Sequence, residues 1–144
     1  MEVSNSLKKI AEHISELLDR LAIESARGIP IIVEGQRDVD ALQKLAIKGD
    51  IVSAKGLGKS FLDVLSEVEK RGKEEVIILM DFDRRGREWT KRLTQGFERM
   101  GIKPNLLFWK ELRSLVGKEV KDVEGLAPYL ETLKGKIGYK YEIN

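Results

Sequence analysis

The 144-residue sequence contains no cysteine and a single histidine, His13. The first absence excludes thiol catalysis, disulfide staples and cysteine-ligated zinc, and it fits a reducing compartment. The second excludes a metal site built from several imidazoles. Any metal held by this chain must sit among oxygen ligands, which selects hard cations such as Mg2+ or Mn2+. Also missing is a run of about 18 apolar residues that could span a bilayer. The amino terminus, Met1-Glu2-Val3-Ser4-Asn5-Ser6, lacks the basic-then-apolar order of a secretory signal. These features lead us to expect a cytoplasmic protein that does not engage membranes. Asn and Gln are few while Lys, Arg and Glu abound, a balance that resembles thermophile composition. The net charge of +2 is too small to name a partner, so the placement of charge matters more than its sum.

What is present is a pair of apolar runs that end in acid. They are Ile29-Pro30-Ile31-Ile32-Val33-Glu34-Gly35 and Val76-Ile77-Ile78-Leu79-Met80-Asp81-Phe82-Asp83. Runs rich in Ile and Val, and too short for helices, are expected to form buried strands of a parallel sheet. Their acids then fall at the carboxyl edge of the sheet, where open α/β folds bind ligands. Asp81 and Asp83 are two apart, so on an extended strand they share a face with Phe82 turned away. Glu34 approaches from a neighbouring strand. Three converging carboxylates with no base among them repel, and a divalent cation is the usual resolution. Glu34, Asp81 and Asp83 are therefore the expected metal ligands.

The remainder of the chain alternates helical and extended patterns. Val3, Leu7, Ile10, Ile14, Leu17, Leu18 and Leu21 recur at spacings of three and four, predicting an amphipathic helix that ends near Arg27-Gly28. After the first strand a helix is expected from Asp38 to Ile47, then a strand Ile51 to Ala54. Ser60 is placed to cap a third helix carrying Phe61, Leu62, Val64, Leu65 and Val68, and Gly72 ends it. The second acidic run leads into a helix with Trp89, Leu93, Phe97 and Met100 on one stripe. Pro104 then opens a fourth strand, Asn105 to Trp109. The order βαβαβαβ predicts an α/β fold, a parallel sheet of about four strands with helices on both faces. Glu111 to Val116 and Asp122 to Leu133 are expected as shorter helices. The tail from Gly135 carries too little pattern to assign. The expected organisation is an amino-terminal helix over 1–28 packing on a core over 29–109, with a helical extension and tail over 110–144. A length of 144 residues suits one domain.

Glu34 is followed at once by Gly35, which lets backbone approach a ligand closely, and Asp81-Phe82-Asp83-Arg84-Arg85-Gly86 repeats the order of acid then glycine. Val33-Glu34-Gly35-x-x-Asp38-Val39 and Asp81-x-Asp83-x-x-Gly86 resemble the two signature motifs of the Toprim domain. That family includes topoisomerases, bacterial primases, overcoming-lysogenization-defect nucleases, ribosomal-RNA maturase ribonucleases and small stand-alone proteins. The loop Ala54-Lys55-Gly56-Leu57-Gly58 is similar to the family's glycine loop. The resemblance implies a Rossmann-like Toprim fold, a catalytic role for Glu34 and Mg2+ coordination by Asp81 and Asp83. Among the members the small stand-alone proteins match best, because no segment remains for a topoisomerase tyrosine domain or a primase core. Arg84-Arg85 departs from the small or neutral residues usual at those positions.

Such a site supports metal-assisted phosphoryl transfer with Glu34 as general acid or base. Arg37, Lys55, Lys59, Arg84, Arg85 and Arg87 fall in loops or first turns at the same edge, where cations can hold phosphates of RNA or DNA. Two readings of function follow. One is a Mg2+-dependent nuclease, and the other a non-catalytic module that binds nucleic acid within a larger processing assembly or a homo-oligomer. A third, nucleotide phosphotransfer, is weaker. Gly58-Lys59-Ser60 copies the end of a phosphate-binding P-loop, but Ser53 stands where its first glycine belongs. Tyr139 and Tyr141 suit either core or surface. Asp38 is expected as a first-turn acid on the helix dipole, with a further option of supporting a metal-bound water.

Overall fold

The structure, a computed structural model, describes residues 2–56 and 58–142, with side chains over 5–56 and 58–137. Val3, Leu57, Tyr139 and Tyr141, singled out above, lie outside the described side chains. Four strands, β1 (Ile31–Val33), β2 (Ile51–Ser53), β3 (Glu75–Ile78) and β4 (Lys103–Asn105), form one all-parallel sheet in the order β2-β1-β3-β4. The helices are α1 (Glu2–Ala26), α2 (Gln36–Lys44), α3 (Phe61–Glu69), α4 (Arg84–Arg99), α5 (Leu107–Val116) and α6 (Leu126–Glu142).

Strand alternation divides the interior into two cores. Ile31, Val33 and Ile77 point to one face, where they meet α1, α2, α5 and α6 through residues such as Leu17, Leu42, Phe108 and Leu130. Ile32, Val76 and Ile78 point to the other, against Val64, Leu65 and Val68 of α3 and Leu93 and Phe97 of α4. Both faces are thus covered, which is why β1 and the 76–78 part of β3 are apolar on both sides. On α1 the residues Ile14, Leu17 and Leu21 are fully buried, and the helix lies against α5 and α6. Ser60 caps α3 by accepting the Asp63 N–H at 3.2 Å, while Gly72 and Gly101 end α3 and α4 with positive φ angles of 67° and 75°.

Two expectations about the second half of the chain are corrected, and the tail left unassigned takes a definite form. The fourth strand was expected over Asn105 to Trp109, yet it is Lys103–Asn105, and Leu107 already begins α5. The Asn105 side-chain oxygen accepts the Leu107 N–H at 3.0 Å and turns the chain into the helix. Phe108, Trp109, Leu112 and Val116 then bury the α5 stripe. Because β4 is an edge strand, Pro104 costs it no ladder bond on the open side. Asp122 to Val123 belong to a turn instead of a helix, closed where Asp122 accepts the Gly125 N–H at 2.8 Å. The tail from Gly135 continues α6 as far as Glu142.

Candidate metal centre

The residue after β1 is Glu34, only 5% exposed. Its backbone C=O accepts the Lys55 N–H at 2.9 Å, so β2's exit loop is joined to it. Its side chain reaches toward β3's exit, where the Asp81 N–H donates to Glu34 Oε2 at 3.4 Å. The other oxygen, Oε1, lies 3.7 Å from Lys55 Nζ. Glu34 is thus positioned from three strand ends and held by one partly exposed cation.

Asp81 is the least satisfied acid of the group. Its Oδ1 is buried with no hydrogen-bond partner among the described residues. Burial, followed by the charges of Glu34, Asp38, Asp122 and Asp83, pushes its pKa up to about 8. Its main chain is fixed firmly. Trp109 Nε1 donates to the Asp81 carbonyl at 3.2 Å, and the Phe82 N–H donates to the Lys121 carbonyl at 2.7 Å. A Cβ on Gly86 would come within 1.9 Å of the Asp81 carbonyl oxygen, so the glycine of Asp-x-Asp-x-x-Gly is required for α4 to start against this loop. Gly35, in contrast, has open space where a Cβ would stand. No internal contact demands glycine there.

Asp83 departs from the strand geometry expected of it. β3 ends at Ile78, so Asp81 and Asp83 do not ride one extended strand. Asp83 is the N-cap of α4, and its Oδ1 accepts the Gly86 N–H at 2.8 Å, leaving one carboxylate oxygen uncommitted to the cap. Phe82, between the two aspartates, is buried in the core shared with α1, α2, α5 and α6.

Two further acids join the group. Asp38 is buried on α2, where Oδ2 accepts from Gly35 N at 3.1 Å and Oδ1 from Glu124 N at 2.9 Å. Desolvation raises its pKa, against the lowering by those backbone donors. Its role is to tie the Glu34-Gly35 turn to the segment before α6. Asp122, from that segment, adds negative charge beside both Asp38 and Asp81. Sequence reasoning passed over Asp122. A signal was present, since Asp122-Val123-Glu124-Gly125 has the same Asp-x-x-Gly spacing as Asp83-Arg84-Arg85-Gly86, and both aspartates accept the N–H three residues on.

Among the described residues no group of three acids is placed so that it could hold a metal ion as it stands, so the expected trio Glu34, Asp81 and Asp83 is not drawn together into one ligand set. The oxygens that accept from no backbone donor are those of the Asp81 carboxyl, Oε1 of Glu34, which Lys55 faces, and one of Asp83. Such a partial, all-oxygen set with an unsatisfied buried atom suits Mg2+, which commonly takes one or two carboxylates and completes its shell with water and phosphate.

The basic residues expected at this edge divide in two. Lys59 turns inward, its Nζ donating to the Ser53 carbonyl at 2.5 Å and pairing with Glu67 at 2.9 Å. Arg84 lies 3.4 Å from Glu88 on the exposed flank of α4. Arg37 borders a cleft with Lys44, Glu124 and Glu131. Arg85 and Arg87 are exposed in the first turn of α4, and Lys55 faces Glu34.

A parallel sheet with acids at adjacent strand exits, glycine-cornered and covered on both faces, is the Toprim architecture. A Toprim domain family model matches residues 29–108, and the chain belongs to that family. It is similar to an archaeal UPF0292 protein of Methanosarcina barkeri, 41% identical over 92% of this chain and 90% of that one. A UPF0292 protein of Methanosarcina acetivorans is 39% identical, covering 94% and 92%. A solved structure of a protein from Aquifex aeolicus superposes with a TM-score of 0.64 at 28% identity, covering 76% of this chain and 94% of that one.

Proposed function

We propose that this protein is a Mg2+-dependent or Mn2+-dependent enzyme that cleaves phosphodiester bonds of RNA or DNA. The observation that carries the reading is the buried, unpartnered Oδ1 of Asp81 beside Glu34. A carboxylate oxygen desolvated among like charges favours a cation beside it. Asp81, Glu34 and the free oxygen of Asp83 would hold the ion, which when bound neutralises phosphate charge and lowers the pKa of a coordinated water. Glu34 is the general acid or base, held in place by the Asp81 amide. Lys55 offsets its charge before substrate arrives and is free to move to a phosphate. Arg85 and Arg87, exposed in the first turn of α4, are the cations offered to phosphate, whereas Arg84 faces Glu88 and Arg37 borders the cleft beside Glu124. Lys59 serves the loop that carries Lys55. We place the enzyme in the cytoplasm, acting alone, as a homo-oligomer or within a processing complex. Among the described residues no helix is long and apolar enough to cross a membrane.

The test is turnover. The purified chain should hydrolyse labelled RNA or DNA with Mg2+ or Mn2+, and Glu34→Gln should lower the rate about 100-fold to 10,000-fold, the usual range for general acid-base help. That no group of three acids among the described residues is placed to hold a metal favours a second reading, a nucleic-acid-binding module without catalysis. Binding with no metal-dependent product from the wild type would select it.

A further inference from the structure

Beside the Asp81 to Asp83 segment, between the first turn of α4 and the length of α5, runs an open groove of about 850 Å3. Phe82 and Trp109 line it, and Arg87, Lys110, Arg113 and Lys118 stand along it against one acid, Glu119. Among the described residues none of these four cations makes an ion pair. Lys55, Lys59 and Arg84, by comparison, each face a carboxylate. A solvated surface normally intersperses its charges, so four unpaired cations along one concave strip are a local imbalance. On α5, Lys110 and Arg113 are three apart and so share a face.

We propose that this groove carries the phosphodiester backbone of a nucleic-acid strand on one side of the acid pair, and so fixes the path by which the substrate reaches it. The inference rests on the phosphodiester reading of the site. Phosphates, not bases, are the matched chemistry. Phe82 and Trp109 are only 5% and 6% exposed, and the Arg113 guanidinium lies over the Trp109 ring at 5.3 Å, so neither ring offers a stacking platform. Contacts of this kind position a strand without reading its sequence. The groove is also joined to the site, since Trp109 Nε1 holds the Asp81 carbonyl.

The experiment measures anisotropy of labelled RNA and DNA, single strands and duplexes, across a salt series with Mg2+ in a Glu34→Gln background, read before the slowed cleavage consumes the label. Adding Lys110→Glu, Arg113→Glu and Lys118→Glu should weaken binding at least tenfold. It should also reduce the slope of log affinity against log salt by about 2, at about 0.7 per single-strand phosphate contact. A control triple of equal charge change, Lys70→Glu, Arg99→Glu and Lys103→Glu, should stay within twofold. If the groove triple does not fold, the three Gln substitutions replace it with the same slope criterion. An unchanged slope, or equal losses from both triples, overturns the groove and leaves the phosphodiester reading standing. Absence of binding to any of the four nucleic acids by the parent overturns both.

Discussion

The Asp81 amide donates to Glu34 Oε2, so the acid at the end of one strand is held by the backbone at the end of its neighbour. This divides the labour between two carboxylates. Glu34 has a donor and a nearby cation, Lys55, whereas the Asp81 carboxylate has a buried oxygen with neither. The first is anchored and the second is poised.

The raised pKa of Asp81 fixes a pH dependence for the metal-free protein. The folded value, about 8, lies above the ordinary 3.8, so folding favours the protonated acid. Stability from that preference is complete below the ordinary value and is lost as pH rises through about 8. The groups facing Asp81 are Glu34, Asp38, Asp122 and Asp83, all of one sign. Thermal melts in a chelator should therefore show a falling midpoint from mildly acid to mildly alkaline pH. Asp81→Asn should flatten the fall and leave stability at neutral pH unchanged or higher. An undiminished fall in that variant would assign the dependence to another group.

The two signature glycines should behave oppositely. Gly86→Ala drives a methyl into the Asp81 carbonyl, and displacing that backbone should cost about 1–3 kcal/mol or more. Gly35→Ala meets nothing within 4 Å and has an extended φ of −147°. Its stability change should stay within about 0.5 kcal/mol, so any loss of metal or nucleic-acid binding there reports crowding of a ligand. Chemical denaturation of the two variants checks both statements. Equal destabilisation would contradict the assignment.

Much of this was legible because its causes are local. The runs at 29–34 and 76–83 are apolar enough to be strands only if buried on both faces, and Ser60, Gly72 and Gly101 carry their cap chemistry in their own identities. What was hidden is long-range or ambiguous in period. Leu106-Leu107-Phe108-Trp109 is as apolar as a strand, and only the Asn105 turn decides that it is helix. Asp122 joins the acids through a contact with α2 across 86 positions, from Asp38 to Glu124 N, which no spacing rule encodes. Lys59 looks like a phosphate ligand in sequence, yet its loop folds the ammonium back onto Ser53. The length of α6 was masked by Gly135 and Gly138, which weaken a helical signal that packing against α1 supports.

Removing α1 should unfold the chain. Ile14, Leu17 and Leu21 are fully buried, and each contributes about 1.5–3 kcal/mol. Their sum is comparable with the whole stability of a domain, about 5–15 kcal/mol. Circular dichroism of the chain lacking residues 1–26 should show loss of cooperative unfolding. A folded truncation that only changes its mass in light scattering would make α1 an association element.

Calorimetric titration of Mg2+ into wild type and Asp81→Asn, repeated in buffers of different ionisation enthalpy at pH 7, bears most directly on the metal centre. A ligand acid that is protonated before the ion arrives must give up its proton on binding. Saturable binding with nearly one proton released per ion is expected in the wild type, and at least tenfold weaker binding, without that release, in Asp81→Asn. Equal affinity and equal proton release in the two proteins would contradict the assignment of Asp81, and with it the proposed site.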